Sequence, residues 1–88
     1  MLERLQKMLR EAQAKVNVVE ELLLEAKITA DFNPTDYNVR QVTSYTTRLA
    51  EVVNYRNVLT AKIQEIEMGV PSTPILVTVE TVRNSLTI

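Results

Sequence analysis

The chain has 88 residues, enough for one domain but too few to bury a large core. It is 45% hydrophobic and 24% charged, a composition that argues against intrinsic disorder. Its net charge of −1 gives no overall electrostatic attraction to nucleic acid or to an anionic membrane. It has no Cys, no His and one Gly, so disulfides, thiolate or imidazole catalysis and glycine-rich phosphate loops are excluded. These absences predict a protein that is not an enzyme and that uses no cofactor or metal.

The first segment carries an unbroken heptad pattern of apolar residues. Their alternating spacings of three and four keep one stripe on a single helix face, as in coiled coils. Good helix formers dominate the segment, which has no Gly or Pro. The pattern predicts a helix over about residues 2–30. The stripe comprises Leu2, Leu5, Leu9, Ala12, Val16, Val19, Leu23, Ala26 and Ala30.

A break at residues 31–33 is followed by a second heptad pattern. Asn33 is expected to cap the new helix with Pro34 at its first position, and Gly69 with Pro71 to end it, which predicts a helix over about 34–68. The short connection makes the helices antiparallel, so residues 1–70 form a coiled-coil-like hairpin. The expected register places Val19 near Leu49, and it is set by Val42, Tyr45, Leu49, Val52, Arg56, Leu59, Ile63 and Ile66.

The tail, residues 71–88, fits two structures. Thr73 and Pro74 could begin a third helix with one apolar face at helical spacing. However, 9 of the 16 residues from Thr73 onward are β-branched, which favours a strand or an extended arm. Short apolar runs do not separate these alternatives, so both stay open.

The hairpin has more apolar residues than one seam can bury. An apolar stripe this wide is typical of helices in a bundle, and exposed apolar patches usually mark interaction surfaces. We therefore expect an all-α, oligomeric bundle. The interface candidates are Arg56, Tyr37, Tyr55, Val18, Leu24, Ile28, Val53, Val58, Ile75, Val79, Val82 and Leu86.

Two polar features have alternative interpretations. Arg56 occupies a seam position opposite Ala12, where a polar residue can set register or oligomeric state, or lie along the seam with its charge in solvent. Glu20, Glu21 and Glu25 could in principle hold a metal, but helical-bundle metal sites also recruit His, so a solvated acidic face is the simpler interpretation.

These patterns favour a non-enzymatic structural or interaction protein, such as a small viral or cellular accessory component, whose partners are copies of itself or a larger assembly. One alternative hypothesis is an oligomer that binds a small anionic ligand such as a nucleotide between subunits, through tyrosine and arginine side chains. Another is a regulator that docks on one host protein through its acidic residues 20–38. No apolar run is long enough to cross a membrane, which predicts a soluble chain located in the cytoplasm or in an intracellularly assembled particle.

Overall fold

A computed structural model describes residues 1–85 of the chain, and all regular secondary structure in that range is helical. Helix α1 spans Leu2–Phe32, α2 spans Asp36–Met68 and the short α3 spans Val79–Ser85. The antiparallel α1–α2 hairpin makes the molecule a rod of 51 × 21 × 19 Å. The predicted all-α, antiparallel hairpin is confirmed, and α1 extends two residues beyond its predicted end. The tail, for which a third helix and an extended arm were both open, contains a short helix.

The seam between α1 and α2 follows the predicted heptads closely in α1. Ala12, Val16, Val19, Leu23 and Ala30 are all buried there. The central cluster brings Val16, Val19 and Leu23 together with Leu49, with Tyr45 and Val52 packed against it, as the expected register requires. Burying these apolar side chains is the main stabilising contribution to the hairpin, at about 1.5–3 kcal/mol for each fully buried residue.

Burial along α2 is broader than its heptad predicted. Thr46, Ala50 and Ala61 are buried although they lie outside the predicted stripe, whereas Ile66 within the stripe is 39% exposed. The additional burial arises because the tail packs on a second face of α2, where Val82 joins the core cluster that contains Ala50. The tail therefore covers part of the surplus apolar surface of the hairpin.

The start of α2 differs from the prediction. Thr35, not Asn33, is the N-cap: its hydroxyl oxygen accepts a hydrogen bond from the Asn38 N–H at 3.1 Å, and the helix begins at Asp36. Asn33 instead ends α1, where its N–H donates to the Thr29 carbonyl at 2.9 Å. Because Thr35 is the N-cap, Pro34 lies before the helix, in the connection rather than in α2.

Replacing the true cap should therefore destabilise the protein more than replacing the predicted one. We expect Thr35→Ala to lower the free energy of unfolding by about 1 kcal/mol because it leaves a helix N–H without its partner. Asn33→Ala should change it by less than about 0.5 kcal/mol, since the hydrogen bonds of Asn33 within the described residues use its main chain. Urea unfolding followed by circular dichroism measures both variants, and equal losses would contradict this assignment of the cap.

The end of α2 agrees with the prediction. Gly69 adopts the left-handed conformation at φ 71°, and its N–H donates to the Glu65 carbonyl at 2.8 Å. Glycine is favoured here because it has no Cβ to oppose a positive φ. The chain then leaves the helix axis and turns back along α2.

The tail combines the two structures that its sequence allowed. Residues 70–78 carry no regular secondary structure, and α3 begins only at Val79, five residues after the predicted Thr73–Pro74 start. Thr78 caps it, because its hydroxyl oxygen accepts from the Thr81 N–H at 3.1 Å. The prediction that Leu86 shares the apolar face of this helix lies outside the described residues.

Candidate functional site: a tail clamp and three open surfaces

Two asparagines of α2 hold the extended part of the tail through its main chain. The Asn54 side chain donates to the Val77 carbonyl at 2.9 Å and accepts from the Val77 N–H at 2.7 Å. Asn57 donates to the Ile75 carbonyl at 2.7 Å. We call this pair the tail clamp. It forms hydrogen bonds with the backbone N–H and C=O groups of an extended segment, as a neighbouring β-strand would. The described part of the chain contains no strand.

Arg56 connects the tail clamp to α1. Its Nη1 donates to Oε1 of Gln13 at 3.2 Å, and its Nε and Nη2 donate to Oδ1 of Asn57, each at 3.2 Å. The guanidinium is half-buried. Its three donors therefore join α1, α2 and, through Asn57, the tail, and this arrangement fixes the position of Arg56 within one chain.

Gln13, Asn54 and Asn57 were not predicted as functional residues. The signal available in the sequence was an Asn-x-x-Asn pair in the middle of a long helix, where asparagine has poor helix propensity. Such a pair is expected only if its side chains have specific partners. Those partners lie 18 and 23 residues away in the tail, so the pattern alone could not identify them.

The first open surface is a groove between α1 and α2 that faces away from the tail. Arg48 and Asn57 are nine residues apart, about two and a half helical turns, so they project from opposite sides of α2. Adjoining cavities along this groove share Lys15, Arg48 and Val52. Their further lining residues are Ala12, Ala14, Val18, Val19, Glu51 and Tyr55. The groove therefore has an apolar floor with two cations at its edge.

Tyr37 and Tyr55 do not meet in one pocket. They are 18 residues apart on α2, which places them about 27 Å apart along the helix axis. Tyr55 lines the groove with Arg48 and Lys15, while Tyr37 lines a separate depression that contains Tyr45 and Gln41. A ligand site that combines tyrosine and arginine side chains could therefore use Tyr55 but not Tyr37 in the same cavity.

The second open surface is an apolar row near the tip of the hairpin. Leu24, Ile28 and Phe32 follow one another at intervals of four residues on α1, and they are 57%, 60% and 91% exposed. Glu20, Glu21, Glu25 and Asp31 surround the row, and all four are exposed. We call Leu24, Ile28 and Phe32 the tip row.

The third open surface lies on the tail itself. Ile75 and Leu76 are 77% and 64% exposed, although the main chain of Ile75 is held by Asn57. The tail clamp therefore fixes an extended segment whose two large apolar side chains face solvent.

The remaining interface candidates divide between surface and core. Val18 and Val58 are 54% and 47% exposed, so they are available for contacts. Val53 and Val79 are half-buried against the central cluster, and Val82 is 5% exposed inside it. Val82 was expected at an interface with a partner, but it is buried within the chain itself. Leu86 lies outside the described residues.

No group of three or more acidic side chains in residues 1–85 is arranged to hold a metal ion, so Glu20, Glu21 and Glu25 do not converge. None of the helices in the same range is both long enough and apolar enough to cross a bilayer.

Comparison of the chain with protein-family models, with curated proteins and with solved structures finds no match. The candidate function therefore rests on the physical properties of the surfaces described above.

Proposed function

We propose that this chain is a non-enzymatic structural or interaction protein that associates with copies of itself or docks into a larger assembly. The tip row carries the proposal, because Leu24, Ile28 and Phe32 keep 57–91% of their surface in contact with water. Large apolar side chains that lie in a contiguous row usually mark a surface that a partner covers. Covering such a side chain stabilises an association by about 1.5–3 kcal/mol.

The tail gives independent support to a docking role. The main chain of Ile75 and Val77 makes three hydrogen bonds with asparagine side chains, so residues 75–77 are held in a fixed conformation. A segment that is already ordered loses less conformational entropy on binding than a disordered one. The tip row and the tail are therefore two surfaces through which the chain, as a small accessory component, would dock into an intracellularly assembled particle.

Analytical ultracentrifugation over a wide concentration range tests this proposal. We expect the wild-type mass to rise above that of the 10.0 kDa monomer as concentration increases. The double variant Leu24→Ser/Ile28→Ser should associate at least about tenfold more weakly, since it removes apolar surface. Val70→Ser is a matched control, because Val70 is 51% exposed but lies outside the helices. A wild-type chain that stays monomeric throughout would contradict self-association through the tip row.

One observation favours a second function, the binding of a small anionic ligand. Lys15 and Arg48 line the same groove beside Tyr55, and the Arg48 ion pair with Glu51 is long and exposed at 4.0 Å. An anion in the groove could therefore replace Glu51 at low energetic cost. A thermal-shift assay with nucleotides tests this function: a ligand should raise the unfolding midpoint of the wild type and not that of Arg48→Ala. No shift with any anion would remove this candidate.

A further inference from the structure

Helix α1 presents one continuous face that neither α2 nor the described tail covers. Its members follow one another at spacings of three and four residues, so they share one side of the helix. All of them are exposed. We call this surface the outer face, and it consists of Lys7, Arg10, Ala14, Val18, Glu21, Glu25, Ile28 and Phe32.

Charge on the outer face is separated along the helix. Lys7 and Arg10 lie in its N-terminal half, where the exposed Glu3 and Glu11 border them, and Glu21 and Glu25 lie in its C-terminal half with no cation on the same face. Between them are Ala14 and Val18, of which Val18 is 54% exposed. If the same face of another molecule is turned end for end, each cationic half meets an anionic half, so the face is complementary to itself.

Stability of the helix does not explain this charge order. The helix dipole favours negative charge near the N-terminus and positive charge near the C-terminus. In α1 the order of the charges along the helix is largely reversed. Arg4 offsets Glu3 in the first turn, and the acidic residues concentrate in the second half of the helix. The last turn has no basic residue. The arrangement therefore contributes little to the stability of the isolated helix.

Ion pairing within the chain does not explain the charge order either. None of Lys7, Arg10, Glu21 and Glu25 forms an ion pair with another residue in the described range. Glu65, which lies near the same end of the hairpin as Lys7, pairs instead with Lys62 of its own helix at 3.7 Å. The four charges therefore stay available to a partner.

We infer that the outer face of α1 binds the outer face of a second copy in an antiparallel, twofold-symmetric pair, an inference that rests on the self-association proposed above. Ala14 and Val18 surround the symmetry axis, Lys7 of each copy lies near Glu25 of the other, and Arg10 lies near Glu21. In this register Ile28 lies over the first turn of α1 in the other copy, whereas Phe32 lies opposite the N-terminal end of that helix. The pair therefore covers Ile28 and reaches the edge of Phe32.

The expected affinity is modest. The outer face provides eight residues per copy, whereas a standard stable interface uses about 20–30 on each side. We therefore expect a dissociation constant in the micromolar range, with association that weakens as salt screens the exposed charges.

A charge-exchange experiment tests the pairing. Variant one is Lys7→Glu/Arg10→Glu, and variant two is Glu21→Lys/Glu25→Lys. Each should self-associate at least about tenfold more weakly than wild type because like charges then face each other. An equimolar mixture should recover association to within about threefold of wild type, since the cationic variant then meets the anionic one at both ends. Native mass spectrometry identifies the mixed pair by its mass.

Both variants should stay folded, because all four substituted side chains are exposed and lie outside the seam, and circular dichroism checks this. Arg40→Glu reverses an exposed cation of α2 outside the outer face, and it should leave association unchanged. If the wild type associates while either double variant associates equally well, or if the mixture gains nothing, the antiparallel pairing is wrong and the proposed function stands. If the wild type is monomeric at about 1 mM, both the pairing and the proposed self-association are wrong.

Discussion

Replacing Leu23 by alanine is expected to lower the free energy of unfolding by about 3–4 kcal/mol. Leu23 is 1% exposed in the seam, where it packs with Val19 and Leu49 and contributes to the only cluster that includes all three helices of the described chain. Removing its methyl groups loses their transfer free energy and leaves a cavity that long, stiff helices fill poorly. Urea denaturation measures the loss.

The next residue along the chain provides the control. Leu24 is the same residue type on the same helix, but it is 57% exposed. Leu24→Ala should change the stability of the dilute monomer by less than about 0.5 kcal/mol. Similar losses for the two variants would show that Leu23 is not the buried member of the pair, and the position of the seam would then be wrong.

The second large effect is expected at Asn54. The Asn54→Ala variant leaves both the N–H and the carbonyl of Val77 without their partner in a half-buried position, at a cost of about 2 kcal/mol. Because the tail is held to α2 by few contacts, this loss should release the tail while the hairpin stays folded. Hydrogen exchange at the Val77 amide should therefore become at least about tenfold faster.

Two variants sharpen this test. Asn54→Asp keeps an acceptor for the Val77 N–H but cannot donate to the Val77 carbonyl, so its exchange rate should fall between wild type and Asn54→Ala. Asn84→Ala removes an exposed asparagine of α3, and it should leave the Val77 amide protected. If Val77 exchanges equally fast in wild type and in Asn54→Ala, the tail clamp does not hold the tail in solution.

The hairpin could be predicted from sequence because its determinants are local. The heptad from Leu2 to Ala30 fixes which side of α1 is buried, and Gly69 marks the end of α2 by its own conformational preference. The cap at the start of α2 was mispredicted because Asn33 and Thr35 are both good caps, and the decision depends on how α1 ends. Such competition between adjacent residues is not visible in the pattern of either helix alone.

The tail could not be predicted because its structure depends on contacts with α2. Its β-branched residues favour an extended chain, and Asn54 and Asn57 stabilise that conformation only as far as Val77. After Val77, Thr78 provides an N-cap, which stabilises a helix over the extended conformation. The candidate surfaces were predicted in part: Leu24 and Ile28 are exposed as expected, whereas Val82 is buried because the tail folds back.

The three-residue connection between α1 and α2 has a consequence for the order of folding. Contacts next to residues 33–35 close the smallest loop in the chain, so they form with the least loss of chain entropy. Pairing can then propagate one turn at a time toward Leu2 and Met68, as in other proteins rich in local contacts, which fold in microseconds to milliseconds. The tail can dock only after the part of α2 that contains Asn54 and Asn57 has formed. A chain emerging from the ribosome would therefore complete its hairpin before residues 71–85 pack against α2.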